Sequence, residues 1–386
     1  MTEKLHFNDN HLSEFEATVL NCTEDKKGYA VVLDKSAFFP EGGGQLSDSG
    51  FIGGVRVESV HEKGGEVLHY CESALEVGKC YPCTIDFEQR YRRMQNHSGE
   101  HIFSGFTHQL HGFDNVGFHM GADCLTLDFS GELTWEQLTE IEQLSNEAVR
   151  KNLPVISSFP AEAELKAMEY RSKLDLTENV RIVEIPGVDR CACCAPHVKN
   201  TGEVGLIKLL DCQRHRGGVR VSIICGMDAL DNVRLMQKNV IAISNLLSVK
   251  RGETAQAVER VLSEQQKLKE KLSSVSLELA SLKAASFPET EGNICVFDSV
   301  LDEPALREMV NILMDKCSGY AAAFSGNDEE GYRYIIGSKN IDLRANGKAI
   351  NQGINGKGGG SKEMIQGRAS AKAEEIKSFI KSNSLI

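Results

Sequence analysis

The chain has 386 residues, enough for two to four domains and a sizeable core. A formal net charge of −12 argues against a protein that coats nucleic acid non-specifically, while leaving room for a local basic patch. Twelve cysteines, no cationic-then-apolar leader and no apolar run of membrane-spanning length lead us to expect a soluble cytoplasmic protein, its thiols serving metals or cores.

Residues 1–90 read as β structure. Short apolar runs, Tyr29 to Leu33, Val55 to Val57 and Cys83 to Phe87, alternate with Gly, Asp and Lys clusters, and a small β-barrel is expected. Within it lies Ala37-Phe38-Phe39-Pro40-Glu41-Gly42-Gly43-Gly44-Gln45. Gly42, Gly43 and Gly44 let a partner approach the backbone and meet its N–H groups; a flexible hairpin tip explains them equally well. No Gly-Lys-Ser/Thr follows, so this is not a P-loop. Cys80 and Cys83 have the spacing of a zinc half-site, but Cys83 opens a strand, which favours ordinary core or surface thiols.

Residues 91–227 are expected to form an α/β domain. In Gln95-Asn96-His97-Ser98-Gly99-Glu100-His101, two histidines stand four apart and apolar Ile102, Phe103, Phe106 and Leu110 follow. This reads as an amphipathic helix that points both imidazoles to one side. Gly117 to Gly121 suggests a loop and Leu125 to Phe129 a strand; Leu133 to Lys151 is helical in composition. The strand Arg181 to Ile185 leads into Cys191-Ala192-Cys193-Cys194-Ala195-Pro196-His197. Thr201 to Gly205 is a turn before the strand Leu206 to Leu210. Arg214, Arg216 and Arg220 make either a phosphate-contacting patch or a solvated turn. Charge alone favours the turn; Arg214 and Arg216 remain candidate nucleic-acid contacts.

Residues 228–286 show apolar positions in steps of three and four: Val233, Met236, Val240, Ile243 and Leu247, then Val258, Val261, Leu268, Leu272, Val275, Leu279 and Leu282. Gly252 lies in the break, so an antiparallel, coiled-coil-like helical hairpin is expected, as a spacer or dimer contact. After a linker, residues 293–386 form a small α/β unit whose glycine-rich loop, Lys357-Gly358-Gly359-Gly360, precedes the last helix. From Gly331 onward ten Lys/Arg face four Asp/Glu, a local balance of +6, which suits phosphate contact or a solvated basic face.

His97, His101, Cys193 and His197 together suit a tetrahedral Zn2+ site, either closed and structural or open to a substrate atom. His97 to His101 also satisfies H-x-x-E-H, the inverted zinc-peptidase motif with Glu100 as base. That reading idles Cys193 and His197, so it is disfavoured.

These blocks resemble the editing domain of alanyl-tRNA synthetase and its free-standing relatives, the AlaX proteins. Cys193-Cys194-Ala195-Pro196-His197-Val198 with Thr201-Gly202 is similar to the synthetase's cysteine–histidine segment and Thr-Gly turn. Ala37 to Gln45 is similar to the family's glycine-rich motif, and Lys357 to Gly360 with Met364 and Gln366 resembles the last domain of the synthetase. The resemblance covers nearly the whole chain in four ordered blocks and implies the long AlaX form. It implies one Zn2+ on His97, His101, Cys193 and His197, and hydrolysis of the ester joining serine or glycine to tRNA(Ala), a carboxylic ester hydrolase activity. It starts near residue 1, leaving no room for an ATP-using charging domain, so editing in trans without aminoacylation is expected. Gly42 to Gly44 and Asn115 would meet the substrate, and Lys357 to Gly360 the RNA. A homodimer through the hairpin or the terminal unit is expected. Ala195-Pro196, Asn115 and Ser361 depart from the family pattern, and Glu100 is not typical of its helix. The fold class expected is α/β (α+β): an N-terminal β-barrel, an α/β zinc editing domain, a helical hairpin and a C-terminal α/β domain. The alternative function is a tRNA-binding protein with a structural zinc and no turnover.

Overall fold

The computed structural model describes residues 2–26, 28–121, 123–172 and 180–382. Parts of the expected 91–227 and 293–386 units, residues 173–179 and 383–386, lie outside the described residues. The chain is a mixed α/β structure that divides into two compact units, Met1–Asn239 and Val240–Ile386.

The first unit opens with β1 (Glu3–Lys4), which pairs in parallel with β4 (Lys35–Ser36). Strands β2 (Glu14–Asp25), β3 (Gly28–Leu33), β5 (Gly50–Ile52), β6 (Val55–Lys63), β7 (Glu66–Cys71) and β8 (Cys80–Ile85) close into a barrel in the order β2-β3-β7-β6-β5-β8. Alternate residues point inward, so Val19, Val31, Leu33, Ile52, Val57, Val60 and Val67 fill it. Cys83 joins that core, where burial pushes its thiol up to about 12, while Cys80 faces out. The two sulfurs serve opposite faces of one strand, which ends the half-site reading.

Helix α1 (Phe87–His111) follows the barrel and ends on left-handed Gly112. It packs on a four-stranded antiparallel sheet of β9 (Asn115–Met120), β10 (Leu125–Phe129), β14 (Ile207–His215) and β15 (Gly218–Cys225), ordered β14-β15-β10-β9. Residues 117–120, expected as a loop, are strand, because Phe118 and Met120 pair with Leu127 and Leu125. Helix α2 (Trp135–Lys151) starts on a Thr134–Gln137 capping box. Strand β11 (Ile156–Ser158), helix α3 (Glu162–Ala167), β12 (Ile182–Ile185) and β13 (Asp189–Ala192) follow, with β11, β12 and β13 forming a small antiparallel sheet. The barrel and this α/β part form one unit, because polar ties join them: His11 meets Glu203, and Asn10 donates to the His197 carbonyl at 3.0 Å.

The unit boundary falls inside helix α4 (Gly226–Leu247), not at the expected start of the hairpin. Ser248 turns left-handed and α5 (Thr254–Ala285) begins. The three-and-four stepping does mark helix, but it closes no seam within the described chain: Val258, Val261, Leu268, Leu272 and Val275 are between 41% and 69% exposed. Farther along, Ala280 and Ala284 pack against α6 (Glu303–Leu313) in the second unit's core. That unit is built on a five-stranded sheet of β16 (Ile294–Phe297), β17 (Ala321–Asn327), β18 (Gly331–Gly337), β19 (Gly356–Gly360) and β20 (Met364–Ala369), ordered β16-β17-β18-β20-β19. Helices α7 (Leu343–Gly353) and α8 (Ala373–Ser382) cover its other face. The glycine-rich stretch Gly356–Gly360 is an edge strand, not a loop. A Cβ on Gly358 would lie 2.3 Å from both the Gln366 carbonyl and the Tyr334 hydroxyl, so the close approach demands glycine. Among the described residues no helix is long and apolar enough to cross a membrane.

Candidate metal centre

Helix α1 sets His97 and His101 one turn apart, their ring centroids 5.4 Å from each other. Gly99 between them permits this placement: a Cβ there would meet Cys225 Sγ of β15 at 2.3 Å. Cys193 and His197 come from the loop after β13. Arg181 holds that loop from behind, donating to the carbonyls of Cys193 at 3.0 Å and Ala195 at 2.9 Å. The donor atoms of His97, His101, Cys193 and His197 all lie within 4.8 Å of one another. Cys193 Sγ is 3.6 Å from His97 Nε2 and 3.3 Å from His197 Nε2.

Each imidazole has its Nδ1 occupied by an acceptor, which turns Nε2 inward. His97 Nδ1 faces Gln45 Oε1 at 2.8 Å, His101 Nδ1 faces Asp189 Oδ2 at 3.0 Å, and His197 Nδ1 faces Ser98 Oγ at 3.0 Å. This is how ligating histidines are held: the outer hydrogen bond fixes the tautomer and the ring. Burial alone would raise the Cys193 thiol, but its imidazole neighbours, His97 and His197 by electrostatics and His101 and His197 by hydrogen bonds, hold it well below its ordinary value. Burial holds His197 down to about 3, so its ring is neutral. Burial would lower His101 and raise Asp189; their mutual hydrogen bond drives each the opposite way, and at Asp189 the Arg171 guanidinium adds to that lowering. A thiolate with three inward Nε2 atoms is a donor set that fits Zn2+.

The other candidate residues fall around this centre or away from it. Gly42 and Gln45 pair through two backbone hydrogen bonds, with Gly43 and Gly44 left-handed at φ 60° and 82°. The glycine motif is therefore a tight two-residue turn, and its product is the placement of Gln45. A Cβ on Gly44 would strike Phe118, whose ring lies 5.0 Å from that of His97. Asn115 does not reach the ligands. It donates to Glu100 Oε1 at 2.6 Å, as Ser104 does at 2.8 Å. Glu100 is buried, with Oε2 3.7 Å from His101 Nε2. With Cys193 and His197 drawn into the cluster, the inverted-peptidase reading loses its economy. Sequence reasoning passed over Asp189, Ser98, Arg171 and Arg181, which carry no periodic signal; Gln45 stood inside the quoted motif without a role.

Arg214 and Arg216 are exposed at the β14–β15 hairpin, Arg216 left-handed at φ 45°, whereas Arg220 is taken by Asp128 at 2.6 and 2.7 Å. In the second unit, Lys357 is directly opposite Arg368, and Arg368 directly opposite Arg333, across β19, β20 and β18. All three are exposed, and among the described residues none meets a carboxylate. Like charges placed opposite each other cost stability. Arg333 and Arg368 were missed because their register is invisible before the strands are paired.

Residues 180–221 match the model of the threonyl and alanyl tRNA synthetase second additional domain. The alanyl-tRNA editing protein AlaX-L of Pyrococcus horikoshii is 28% identical over 398 residues, covering 97% of this chain and 96% of that protein. Over nearly its whole length the chain is therefore similar to an AlaX protein. Alanine–tRNA ligases are similar too: that of Methanococcus maripaludis is 30% identical over 97% of this chain and 43% of its own length. That of Halobacterium salinarum is 32% identical over 87% of this chain and 38% of its own length. The chain thus spans less than half of the ligases it matches, while it spans nearly all of its AlaX relative.

Proposed function

We propose that this chain is an editing protein of the AlaX family, a zinc-dependent aminoacyl-tRNA deacylase that acts in trans on tRNA(Ala) mischarged with serine or glycine, without charging tRNA itself. The observation that carries this reading is the convergence of His97, His101, Cys193 and His197 on one buried point. A selection site for alanine cannot strongly exclude smaller glycine and rejects a serine hydroxyl poorly, so a second, hydrolytic site is needed.

Zinc, when bound, supplies Lewis acidity toward the ester carbonyl. The chain's own residues do the rest. Gln45, Asp189 and Ser98 fix the three rings, and the thiolate of Cys193 completes the set. Phe118 and the Gly43–Gly44 turn wall one side and limit water, and Gly42 to Gly44 present backbone to the aminoacyl end. Asn115 and Ser104 orient Glu100 beside His101. The RNA is held by its phosphates, on Lys357, Arg368 and Arg333 with Gly358 to Gly360 allowing close approach, and on Arg214 and Arg216. A cytoplasmic homodimer through the uncovered face of α5 belongs to the same reading.

A tRNA-binding protein with a structural zinc is the second reading, favoured by four protein ligands, the number of a closed site. The His101→Ala variant separates them. Loss of bound zinc and of seryl-tRNA(Ala) hydrolysis, with RNA binding retained, supports the deacylase. A wild-type protein that binds zinc and tRNA but hydrolyses neither seryl nor glycyl ester supports the second reading.

A further inference from the structure

The glycine turn carries no reactive group, yet it is held to the histidine helix by a buried ion pair. Asp48, three residues past Gln45, meets Arg90 of α1, and their side chains are 1% and 0% exposed. Asp48 Oδ2 accepts from Arg90 Nε at 3.0 Å and from the Phe39 amide at 2.6 Å. Arg90 also donates to the Ala37 carbonyl. Both ends of segment 37–48 are therefore tied to one guanidinium. Arg90 stands seven residues before His97, about two turns away on the same side of the helix. Between the two ties, the turn at Gly43 and Gly44 directs Gln45 onto His97.

We infer that Gln45 is a positioning residue of the metal centre, fixing His97 for coordination through its amide oxygen, and that the Arg90–Asp48 pair holds it there. The inference rests on the metal-centre reading above. A His97 that offers Nε2 to a metal carries its proton on Nδ1, and that N–H needs an acceptor. Gln45 Oε1, at 2.8 Å, is that acceptor, and only one orientation of the amide supplies it. In that orientation Gln45 Nε2 is buried and unpartnered. A packing residue would not keep an orphaned donor in the interior, whereas one selected for its oxygen would. His101 and His197 take their acceptors, Asp189 and Ser98, from the α/β part; His97 takes its acceptor from the barrel. The barrel thereby becomes a component of the metal centre.

The test compares wild type, Gln45→Leu and Gln45→Glu by zinc affinity in chelator competition and by the visible absorption of the Co2+-loaded proteins. Gln45→Leu removes the acceptor and should weaken zinc about 10- to 100-fold and shift the Co2+ bands. Gln45→Glu keeps an acceptor oxygen and should hold zinc at least as well as wild type. Wild-type affinity and unchanged bands in Gln45→Leu would overturn the inference. If Gln45→Leu does not fold, the glutamate variant decides: a folded Gln45→Glu protein with weakened zinc also overturns it. A wild-type protein that takes up no zinc instead refutes the metal-centre reading itself.

Discussion

His101 Nδ1 stands 3.0 Å from Asp189 Oδ2, and Arg171 grips the same carboxylate, Nε to Oδ1 at 2.7 Å and Nη2 to Oδ2 at 2.9 Å. The imidazole, the carboxylate and the guanidinium form one buried relay in which each group fixes the next. A carboxylate so placed makes the ring a stronger base and therefore a stronger ligand.

Asp189→Asn keeps the shape and removes the charge. It should weaken zinc by about 10- to 100-fold while leaving the fold intact. Isothermal titration with a competing chelator measures this; an unchanged affinity would make Asp189 a purely structural partner of Arg171.

Cys193 is the single sulfur of the cluster, and its neighbours hold it in the thiolate form. Cys193→Ala should abolish stoichiometric zinc, as read by elemental analysis of the purified protein. Retention of one zinc per chain would mean that the ion sits elsewhere.

The Arg90–Asp48 pair is wholly buried, so removing one partner strands a charge. Arg90→Met should cost about 3–5 kcal/mol in urea denaturation. A loss within ~1 kcal/mol would show that water reaches Asp48.

His69 lies in the barrel core, donating from Nδ1 to the Val31 carbonyl and accepting from Ser36 at Nε2. Burial, only partly offset by the Val31 bond, lowers it from 6.5 to about 4. The unfolded chain thus takes up this proton near pH 6.5 and the folded chain only near pH 4. Stability should fall as pH drops between those values, by up to about 3 kcal/mol, and the His69 contribution should be flat below. Urea midpoints at pH 7, 5 and 4 should show a shallower fall in His69→Gln; equal slopes would assign the pH dependence to other groups.

The row Lys357, Arg368 and Arg333 should matter for RNA alone. Each alanine substitution should reduce the salt dependence of tRNA binding by about one unit of slope, with little effect on zinc. Filter binding across a salt series checks this, and unaltered slopes would mark the row as a solvated face.

The clustering of the four candidate ligands was legible because they declare themselves locally. His97 and His101 share a helix side, and Cys193 and His197 share a short loop. Their outer partners were not legible. Gln45 and His97 are 52 residues apart, and His101 and Asp189 are 88 apart, joined only when barrel, helix and sheet pack. Apolar periodicity likewise found α5 but could not say whether its face would be covered. Glycine content suggested a loop at Gly356–Gly360, where close strand approach was the actual demand. The division into units also escaped the sequence, since Arg90–Asp48 and the Asn10–His197 contact bind the barrel to its neighbour through polar side chains with no composition signature.

The most direct measurement is deacylation of seryl-tRNA(Ala) beside alanyl-tRNA(Ala), each with and without chelator. Rapid hydrolysis of the seryl ester that chelator abolishes, with the alanyl ester largely spared, is the expected result. Seryl hydrolysis that persists in protein shown to be free of metal would contradict the account, and so would equal loss of both esters.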